Sequence, residues 1–384
     1  MNALKNDIIY WIWYSNISGI SSSVKIKLLE NVESPKEIFK TAGKCLAKNN
    51  VSKTIIDKIA AFATVDIIER YIPILEENED LGIVTYFDYD YPQLLCGINN
   101  PPLVIYYKGE ISLLRNRCIA VIGTRDATDK GKYHARSFAR EIAAQGYTVV
   151  GGLSAGIETA AHIGAMSTGA TCAVLASGID TVYPKENKEL YNKICENGVV
   201  ISEYMPGTKT GKYAIPFRNR IISGLCERVL LIEAPEKSGS LTTVNHALEQ
   251  GRDVYVLDDR SSTPEFSGNR MLINEGATAV TNPYDILSRH EYTAYDSLDR
   301  TFAMSAAEPI EYAQDERKSV PKEYSDLSED EKEILGLIRS GIKQFDEIVM
   351  NSELDVSSVG YALTMLEFKG IITQKFGKVY EENQ

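Results

Sequence analysis

Five basic residues of this chain lie in short segments rich in Gly, Ser and Asn, of the kind that join a strand to a helix. Such a segment leaves backbone N–H groups at the helix start, where an anion can accept their hydrogen bonds. A guanidinium adds a fork of donors that matches a phosphate group, and an ammonium adds a point charge. These residue types indicate a site for a ligand with several phosphates. The five residues are Arg125, Arg218, Arg220, Lys237 and Arg270.

The first of these segments is Gly123-Thr124-Arg125, directly after an apolar run. A Gly at a strand-to-helix turn lets a phosphate approach the backbone, and Arg125 could then donate to it. The segment lacks the GxGxxG pattern of dinucleotide-binding folds. For Gly123 alone, an ordinary turn between a strand and a helix is the better explanation.

The second segment precedes an apolar helix and places Asn219 between Arg218 and Arg220. Two guanidinium groups at a helix start are unfavourable with the helix dipole unless an anion compensates them. Beside Phe217, the two arginines suit a ligand that has a charged backbone and flat bases.

A surface ion pair with Glu203 or Glu233 is the alternative for these arginines. In either interpretation the charges lie at the surface, where substitutions usually change stability by only about 0.5 kcal/mol. We therefore expect Arg218→Ala and Arg220→Ala to weaken ligand binding and to leave thermal stability nearly unchanged.

Two more segments combine small or hydroxyl side chains with a basic residue before a helix. One offers hydroxyls, free amides and an ammonium as a phosphate cradle, but it lacks the GxxxxGK[ST] order of a P-loop. The other has an amide and a guanidinium at a helix start. Ordinary helix capping explains each segment equally well when it is taken alone. The residues are Lys237, Ser238, Gly239 and Ser240 in the first segment, and Asn269 and Arg270 in the second.

Glu158 and His162 stand four residues apart on one predicted helix, a spacing that suits a metal site or an acid–base pair. No third ligand follows at a suitable spacing, so we interpret His162 as structural. The sequence shows no nucleophile–His–acid set, metal cluster or pair of catalytic carboxylates. We therefore expect a binding protein without a cofactor or a metal, and not an enzyme.

Apolar segments that could position these residues recur along the chain and alternate with helical patterns. A continuous apolar run that ends at a Gly turn is typical of a parallel strand covered on both faces. Strands that alternate with helices predict an α/β fold with an open, doubly wound, mostly parallel sheet. Ligands bind beyond the carboxyl ends of such strands, where the basic segments lie. The strand segments are Cys118 to Arg125, Tyr147 to Glu158, Thr171 to Asp180, Gly198 to Tyr204, Arg228 to Thr243 and Asp253 to Asp259.

A chain of 384 residues is long for one domain, and its patterns predict four parts. Residues 1–80 are helical, with an Ile-Ser-Gly-Ile turn that resembles a SAM-like or helix-hairpin-helix unit. Residues 81–290 form the α/β core, and the polar stretch 291–324 is a linker. Residues 325–384 show the three helices and the hairpin of a winged helix.

The net charge of −12 argues against a generally basic surface for nucleic acid. Residues 117–289 hold 19 Lys and Arg and 19 Asp and Glu, so this part of the chain is neutral. Five basic side chains that converge within it would form a local positive pocket. Residues 325–384 hold 6 basic and 12 acidic residues, and the predicted recognition helix, Ser357 to Lys369, carries one base. This charge disfavours phosphate binding, so we interpret the winged helix as a protein-contact or dimer-support element.

Six scattered cysteines without a CxxC pair indicate reduced thiols in a cytoplasmic protein. Cys118 and Cys172 lie inside apolar segments and are expected to be buried. The sequence shows no signal peptide and no apolar run long enough to span a bilayer, so we expect no membrane partner.

Seven segments occur in an order that resembles the DNA-processing protein A family, also called DprA or Smf. The resemblance implies an extended Rossmann-like core, a SAM-like amino-terminal region and a winged-helix carboxyl end. It implies a non-enzymatic mediator that binds and protects single-stranded DNA, forms a homodimer and loads the RecA recombinase during natural transformation. The segments are GTR, GGLSAGIETAAHIGA, GIDTVYPKENKELY, ISEYMPGT, IPFRNRIISGL, EKSGSLTT and SGNRMLINEGA.

The family's motifs correspond to three of the basic segments. Its usual Gly-Ser-Arg corresponds to Gly123 to Arg125, and its Phe-Pro-x-Arg-Asn-Arg corresponds to Ile215 to Arg220. Its Lys-Ser-Gly-Ser-Leu corresponds to Lys237 to Leu241. Phe217 takes a position that is often Arg, and Ser154 to Glu158 replaces a frequent Ala-Arg-Gly-Ile-Asp. The chain therefore has fewer arginines at the motif positions.

Two other functions stay open. One is a nucleotide-binding enzyme or sensor of the related Rossmann-like group that includes the cytokinin-activating phosphoribohydrolases. Those enzymes carry Gly-Gly-x-Gly-Thr-x-x-Glu at a strand-to-helix turn, and Lys237 to Asn245 lacks the Glu that would be the general acid–base residue. The other is a protein-interaction scaffold that uses the acidic winged helix.

The implied dimer has a candidate surface late in the core. We expect Asp253 to Asp259 to lie near an edge of the sheet, beside the helix Val244 to Gln250. Three adjacent apolar residues of one helix, Met271, Leu272 and Ile273, are not expected to face one core together. A second copy of the chain would cover part of this surface, and the alternative is cover by the amino-terminal region or the linker.

Overall fold

The computed structural model describes most of the chain before residue 288 and part of the carboxyl-terminal segment. The chain divides into two compact units, Met1–Arg289 and His290–Gln384. The predicted linker, 291–324, lies outside the described residues. Those residues are 3–30, 32–49, 51–76, 80–211, 213–287, 327–344, 348–349, 351–352, 354, 359, 362–363, 365–366, 369, 371–375 and 379–382.

The amino-terminal region is helical. Its described elements are α1 Ala3–Ser15, α2 Ser22–Leu29, α3 Pro35–Lys40, the 3-10 segment Lys44–Asn49, α4 Lys53–Phe62 and α5 Val65–Glu76. Helix α1 is rich in apolar residues on several sides, which is typical of a helix that its neighbours bury. Trp13 is 1% exposed, and its indole donates to the Phe62 carbonyl at 2.7 Å. The buried side chains of α1 share one hydrophobic cluster with Leu103, Tyr106 and Val200, so these helices pack on the sheet.

A nine-stranded sheet forms the centre of the first unit. Its strands are β1 Gly82–Thr85, β2 Val104–Gly109, β3 Cys118–Ile122, β4 Thr148–Gly151, β5 Thr171–Leu175, β6 Val199–Ser202, β7 Arg228–Leu231, β8 Asp253–Leu257 and β9 Thr278–Val280. Their order is β1-β2-β6-β5-β4-β3-β7-β8-β9, in which β2 is antiparallel to both neighbours and the other pairs are parallel. The predicted mostly parallel, doubly wound sheet is confirmed, and each of the six predicted segments contains one strand, β3 to β8.

One edge of the sheet differs from the expectation. Strand β9 pairs in parallel with β8, with Tyr255 opposite Thr278 and Leu257 opposite Val280. The expected edge at Asp253 to Asp259 is therefore wrong, because a further strand covers it. The sequence signal for β9 is weak because the strand has only three residues.

Strand order reverses around β3, which pairs with β4 on one side and with β7 on the other. Ile119 lies opposite Val149 of β4 and opposite Arg228 of β7. At such a switch point the loops that follow neighbouring strands diverge and leave a crevice beyond the carboxyl ends. The helices of this part are α6 Gln93–Cys96, α7 Asp129–Ala144, α8 Ile157–Ala165, α9 Lys188–Asn197, α10 Ala214–Gly224, α11 Leu241–Glu249, α12 Ser267–Asn274 and α13 Pro283–Leu287. Three 3-10 segments, Ile111–Arg115, Lys185–Asn187 and Pro264–Phe266, complete the connections.

The described part of the second unit contains α14 Glu329–Arg339 and an antiparallel hairpin of β10 Ile372–Lys375 and β11 Val379–Glu382. Ser328 and Glu331 form a capping box at the start of α14. Lys369, the single base of the predicted recognition helix, donates to Glu331 at 2.8 Å. Most other residues of that helix lie outside the described part of the chain.

All six cysteines carry free thiols, and the predicted burial of Cys118 and Cys172 is confirmed. Burial raises the pKa of the Cys118 thiol to about 12, so this thiol stays protonated and unreactive. Among the described residues, no helix combines the length and the apolar character that crossing a membrane requires.

Candidate functional site

A cleft of about 480 Å³ opens beyond the carboxyl ends of β3 and β7. It brings together nine of the twelve residues that the sequence selected, and the other three lie elsewhere. Its walls come from the turn after β3, the loop before α8, the first turns of α10 and the loop before α11. The nine residues are Gly123, Thr124, Arg125, Arg218, Asn219, Lys237, Ser238, Gly239 and Ser240.

Three strand-to-helix turns, after β3, β4 and β7, pack together at the floor of the cleft. The Thr124 N–H donates to the Glu233 carbonyl at 2.7 Å, and the Ile157 N–H donates to the Thr124 carbonyl at 3.2 Å. A Cβ at Gly123 would lie 2.8 Å from the Glu233 carbonyl oxygen, closer than real Cβ atoms approach backbone. Packing therefore requires Gly at this position, and the tight turn places the exposed Arg125 at the cleft.

Glu233, one of the two suggested ion-pair partners, has another role. Its side chain is buried and accepts from the Thr128 N–H at 2.9 Å and from the Thr128 hydroxyl at 2.6 Å. Thr128 is the N-cap of α7, so the carboxylate adds negative charge at the positive end of that helix. Glu233 thus supports the cleft from below instead of neutralising its arginines.

Arg218 extends from α10 across the cleft and is only 3% exposed. Its Nη1 donates to the carbonyl of Val174, the residue before the last in β5. The guanidinium lies against Gly152, where a Cβ would be 2.1 Å from Nη1. A guanidinium has five N–H donors, and the Nε of Arg218 has no partner among the described residues. No ion pair in the described part of the chain involves this arginine.

A buried cation without a carboxylate partner is unfavourable because its lost hydration is not replaced. Burial lowers the pKa of Arg218, Glu158 raises it in part, and the nearby charge of Arg125 lowers it again. An anion in the cleft would restore both the missing charge and the missing acceptors. Arg218 is therefore preorganised for a negatively charged ligand.

The loop before α11 supplies hydroxyls and an ammonium to the same cleft. The hydroxyls of Ser238 and Ser240 lie 2.7 Å apart, and Lys237 is exposed. Neither Lys237 nor Arg125 has an ion-pair partner among the residues that the structure describes. The expected free amides are in part engaged, since the Leu241 N–H donates to the Ser238 carbonyl at 3.2 Å. This loop therefore offers a ligand its hydroxyls, Lys237 and the positive end of α11, and fewer free amides than expected.

Arg220 lies outside the cleft although it is two residues from Arg218. It is 5% exposed, and its Nη2 donates to Glu203 at 2.6 Å. Its Nε donates to the Asn100 carbonyl and its Nη1 to the Phe217 carbonyl, each at 3.1 Å. The ion pair with Glu203, which the sequence left open, is thus the arrangement that Arg220 adopts. Residues two apart on a helix point to different sides, which separates the two arginines.

The burial of both arginines overturns one expectation. Arg218 and Arg220 were expected at the surface, and they are 3% and 5% exposed. Removal of Arg220 would leave Glu203 without its partner in a largely buried place, so a nearly unchanged thermal stability is no longer expected for that variant.

The start of α12 also lies outside the cleft. Asn269 is 1% exposed and ties the helix to the ends of two strands. Its amide makes three hydrogen bonds, of 2.9 to 3.0 Å, to backbone groups of Ile232, Ala234 and Leu257. Arg270 donates to the carbonyls of Ser261 and Thr263 at 3.0 and 2.9 Å. Both residues hold the protein's own backbone, but neither caps α12, whose N-cap Phe266 makes no side-chain capping bond.

Glu158 and His162 separate into different surroundings. His162 is fully buried, with its Nδ1 2.7 Å from the Thr171 hydroxyl, and burial lowers its pKa to about 4. Glu158 lines the cleft, and its carboxylate accepts from the Ser154 N–H at 2.9 Å. Within the described ranges, no group of three side chains could hold a metal ion. His162 is therefore a neutral structural side chain.

A smaller cavity of about 190 Å³ adjoins the cleft. The two share Arg125, Ser154, Ile215 and Arg218 in their walls. The smaller cavity also includes Tyr183, which the sequence analysis did not select. The available signal was an aromatic residue in the loop that follows a predicted strand, where ligands of doubly wound sheets bind.

The apolar run after Arg270 does not leave an uncovered surface. Leu272 is 7% exposed, and Met271 and Ile273 pack partly against the same hydrophobic cluster. The expectation that these three residues cannot share one core is wrong, because the flanking side chains reach the margin of the cluster that buries Leu272. The predicted homodimer therefore has no support from this run.

Family models match two parts of the chain. The model described as DNA recombination-mediator protein A matches residues 82–291, and the model of the DprA winged helix domain matches residues 319–378. The chain is 30% identical over 394 residues to the protein Smf of Synechocystis sp., which covers 97% of this chain and 98% of that protein. It is 38% identical to the DNA processing protein DprA of Streptococcus pneumoniae, over 59% of this chain and 82% of the relative.

Solved structures show the same similarity. The X-ray structure of DprA from Streptococcus pneumoniae superposes with a TM-score of 0.60 at 32% identity, covering 74% of this chain and 99% of that one. A structure of DprA from Helicobacter pylori, described by its single-stranded DNA binding mode, has a TM-score of 0.50 at 27% identity. That comparison covers 54% of this chain and 94% of the other.

Proposed function

We infer, because this chain belongs to the DNA recombination-mediator protein A family, that it binds single-stranded DNA in the cleft beyond β3 and β7. The observation that carries this inference is Arg218, a buried guanidinium that lines the cleft and has no carboxylate partner in the described part of the chain. The phosphates of a strand are anions that would supply that partner. Arg125 and Lys237 add two exposed charges beside it.

The shape of the cleft favours a single strand over a duplex. Proteins read the grooves of duplex DNA with a helix or a ribbon that enters the groove, whereas here the basic groups line a concave site. Arginine, lysine and serine side chains contact phosphate without reading a base edge. We therefore expect binding with little sequence preference and with strong salt dependence.

Fluorescence anisotropy of the full-length protein with a labelled oligothymidylate tests this function. Three cations that each neutralise one phosphate should give a slope of about −2 for the logarithm of affinity against the logarithm of salt concentration. Unlabelled single strands should compete well, and duplex of the same length should compete poorly. Equal competition by duplex, or affinity that does not change with salt, would contradict the proposal.

We further propose that the protein is a recombination mediator in the cytoplasm that protects incoming single strands and loads RecA during natural transformation, and that it acts as a homodimer. A protein that only coated DNA would obstruct the recombinase, so a mediator also has to recruit it. Light scattering at micromolar concentration tests the dimer, and a strict monomer would contradict it. Strands precoated with single-strand binding protein should form filaments of cognate RecA faster when this protein is added.

One observation favours a second candidate, a nucleotide-binding enzyme related to the phosphoribohydrolases. The cleft contains a carboxylate, Glu158, which could act as a general acid–base group. Its carboxylate is engaged by Ser154, and we propose a supporting role for it, with no catalysis. Incubation with nucleoside monophosphates and chromatographic detection of released base separates the two. Base release that is lost in Glu158→Gln would establish the enzyme instead.

A further inference from the structure

Glu158 is a buried carboxylate in the wall of the cleft. It is 7% exposed and stands in the first turn of α8. No ion pair among the described residues involves it. A negative charge in this wall repels the phosphates of a strand and attracts the guanidinium of Arg218, which lines the same cleft. The direction in which this carboxylate points therefore affects how well the cleft binds an anion.

Ser154 holds the Glu158 carboxylate by two hydrogen bonds. The Ser154 N–H donates to Oε2 at 2.9 Å, and the Ser154 hydroxyl donates to the same oxygen. Ser154 is itself fixed, because the Thr159 hydroxyl donates to its carbonyl at 2.7 Å. The positive end of α8 also favours a carboxylate at this place. Glu158 is thus tied to the loop that precedes its own helix.

Glu158 and Arg218 lie against consecutive residues at the end of β4. A Cβ added at Gly151 would lie 3.6 Å from the Glu158 Cβ, and one added at Gly152 would lie 2.1 Å from the Arg218 Nη1. Burial lowers the pKa of Arg218 and Glu158 raises it in part, so the two charges attract each other. A Glu side chain has several rotatable bonds. Rotation of the carboxylate towards Arg218, whose Nε has no partner among the described residues, is therefore the competing arrangement.

We propose that Ser154 is a positioning residue, which keeps the Glu158 carboxylate off Arg218 and so leaves this guanidinium available to a phosphate of the bound strand. The proposal rests on the proposed single-strand binding and deepens it. Without the Ser154 hydroxyl, the carboxylate pairs with Arg218 and competes with the phosphate. Arginine–carboxylate pairs are among the stronger charge-assisted hydrogen bonds, so this competition is effective. The cleft thus contains its own competitor, and Ser154 restrains it.

Anisotropy titrations of the full-length protein with a labelled oligothymidylate test this proposal. Ser154→Ala removes no positive charge, yet affinity should fall about tenfold, because the carboxylate loses one charge-assisted hydrogen bond that holds it in place. The slope of the logarithm of affinity against the logarithm of salt concentration should become less steep by about 0.7, the value for one phosphate contact of a single strand. Ser154→Thr keeps a hydroxyl and should restore both the affinity and the slope.

A second variant removes the competitor itself. Glu158→Gln keeps an oxygen that can accept from Ser154 and removes the negative charge, so affinity should rise at least about twofold. In the Glu158→Gln background, Ser154→Ala should have no further effect, which a double-mutant cycle would detect as non-additivity. Glu189→Gln is the matched control for net charge, because it removes an exposed carboxylate from the first turn of α9 and Glu189 does not line the cleft.

The outcomes separate this proposal from the function on which it rests. If the wild type does not bind the oligothymidylate, single-strand binding itself fails. If the wild type binds and folded Ser154→Ala binds equally well, the restraint by Ser154 is refuted. An equal loss from Ser154→Ala with and without Glu158→Gln would mean that Ser154 contacts the strand directly, which also overturns the proposal. Should Ser154→Ala not fold, Glu158→Gln still decides, because affinity no higher than that of Glu189→Gln would refute the competitor.

Discussion

Helices α10 and α12 offer an instructive comparison, since each carries an Asn-Arg pair in its first turns. Asn269 and Arg270 of α12 make five hydrogen bonds to backbone groups of the protein itself. Arg220 of α10 likewise donates to groups of the protein itself, namely the Glu203 carboxylate and two backbone carbonyls. Arg218 has no counterpart in α12, and among the described residues its side chain donates one hydrogen bond, to Val174.

The difference shows how a basic residue at a strand end becomes a candidate ligand group. Asn269 and Arg220 have their polar groups bonded to the protein itself, and Arg270 donates twice from Nη1 outside the cleft, so an anion in the cleft gains little from them. Arg218 is as deeply buried as Arg220, but its Nε has no hydrogen-bond partner among the described residues, and the side chain lines an open cleft. Unmet hydrogen-bonding capacity next to a cavity therefore distinguishes Arg218, the candidate ligand group, from the structural Arg220, whereas residue type and sequence position do not.

The largest expected effect is on stability, at α12. Asn269→Ala removes three buried hydrogen bonds, and we expect the free energy of unfolding to fall by about 3 kcal/mol. Urea denaturation measures this change. Asn245→Ala, at an exposed position of α11, is the matched control and should stay within about 0.5 kcal/mol of wild type. If the folded Asn269→Ala protein instead lost DNA affinity at unchanged stability, α12 would belong to the binding site.

Substitution of Arg220 should lower stability and not DNA affinity, as expected for Asn269 of α12 and in contrast to Arg218 of α10. Arg220→Met leaves Glu203 unpaired, and we expect a loss of about 2 kcal/mol because that carboxylate is only partly exposed. The double variant Arg220→Met/Glu203→Gln should recover part of the loss, which a thermodynamic cycle would detect. DNA affinity of the single variant should equal that of wild type below its melting temperature. A selective loss of affinity would return Arg220 to the binding site.

Arg218 should show the opposite pattern. Arg218→Met keeps the apolar stem and removes the charge, so DNA affinity should fall at least about tenfold, the effect of one charge-assisted hydrogen bond. Stability should be unchanged or higher, because a buried cation without an ion-pair partner disfavours the folded state. Arg136→Met removes an exposed arginine of α7 as the control. Strong destabilisation with normal binding would make Arg218 a structural residue.

The smallest effect is expected from removal of the second unit. A protein that ends at Arg289 retains the whole first compact unit and every residue of the cleft. The single base of the predicted recognition helix, Lys369, is paired with Glu331, so little phosphate binding should be lost. The same anisotropy titration measures the change. A large loss of affinity, with folding and oligomeric state verified, would show that the winged helix binds DNA.

The sequence by itself was sufficient for the framework of the core. Runs such as Cys118 to Ile122 are apolar at every position, which predicts a strand covered on both faces, and β3 has that burial. Their alternation with helices predicted the doubly wound sheet, and the position of the cleft followed from the strand ends. The three-residue strand β9 escaped prediction because so short a run carries little periodicity.

Only the tertiary structure decided which basic side chains are available to a ligand. Arg220 and its Asn100 acceptor are 120 residues apart in sequence, and Asn269 and its Ile232 acceptor are 37 apart. Local pattern predicts the helix on which a side chain stands, but not the distant carbonyl or carboxylate that the fold brings to it. The donors of a side chain bond to the acceptors that packing places within reach. Arg218 and Arg220 therefore differ in their partners only in the folded chain.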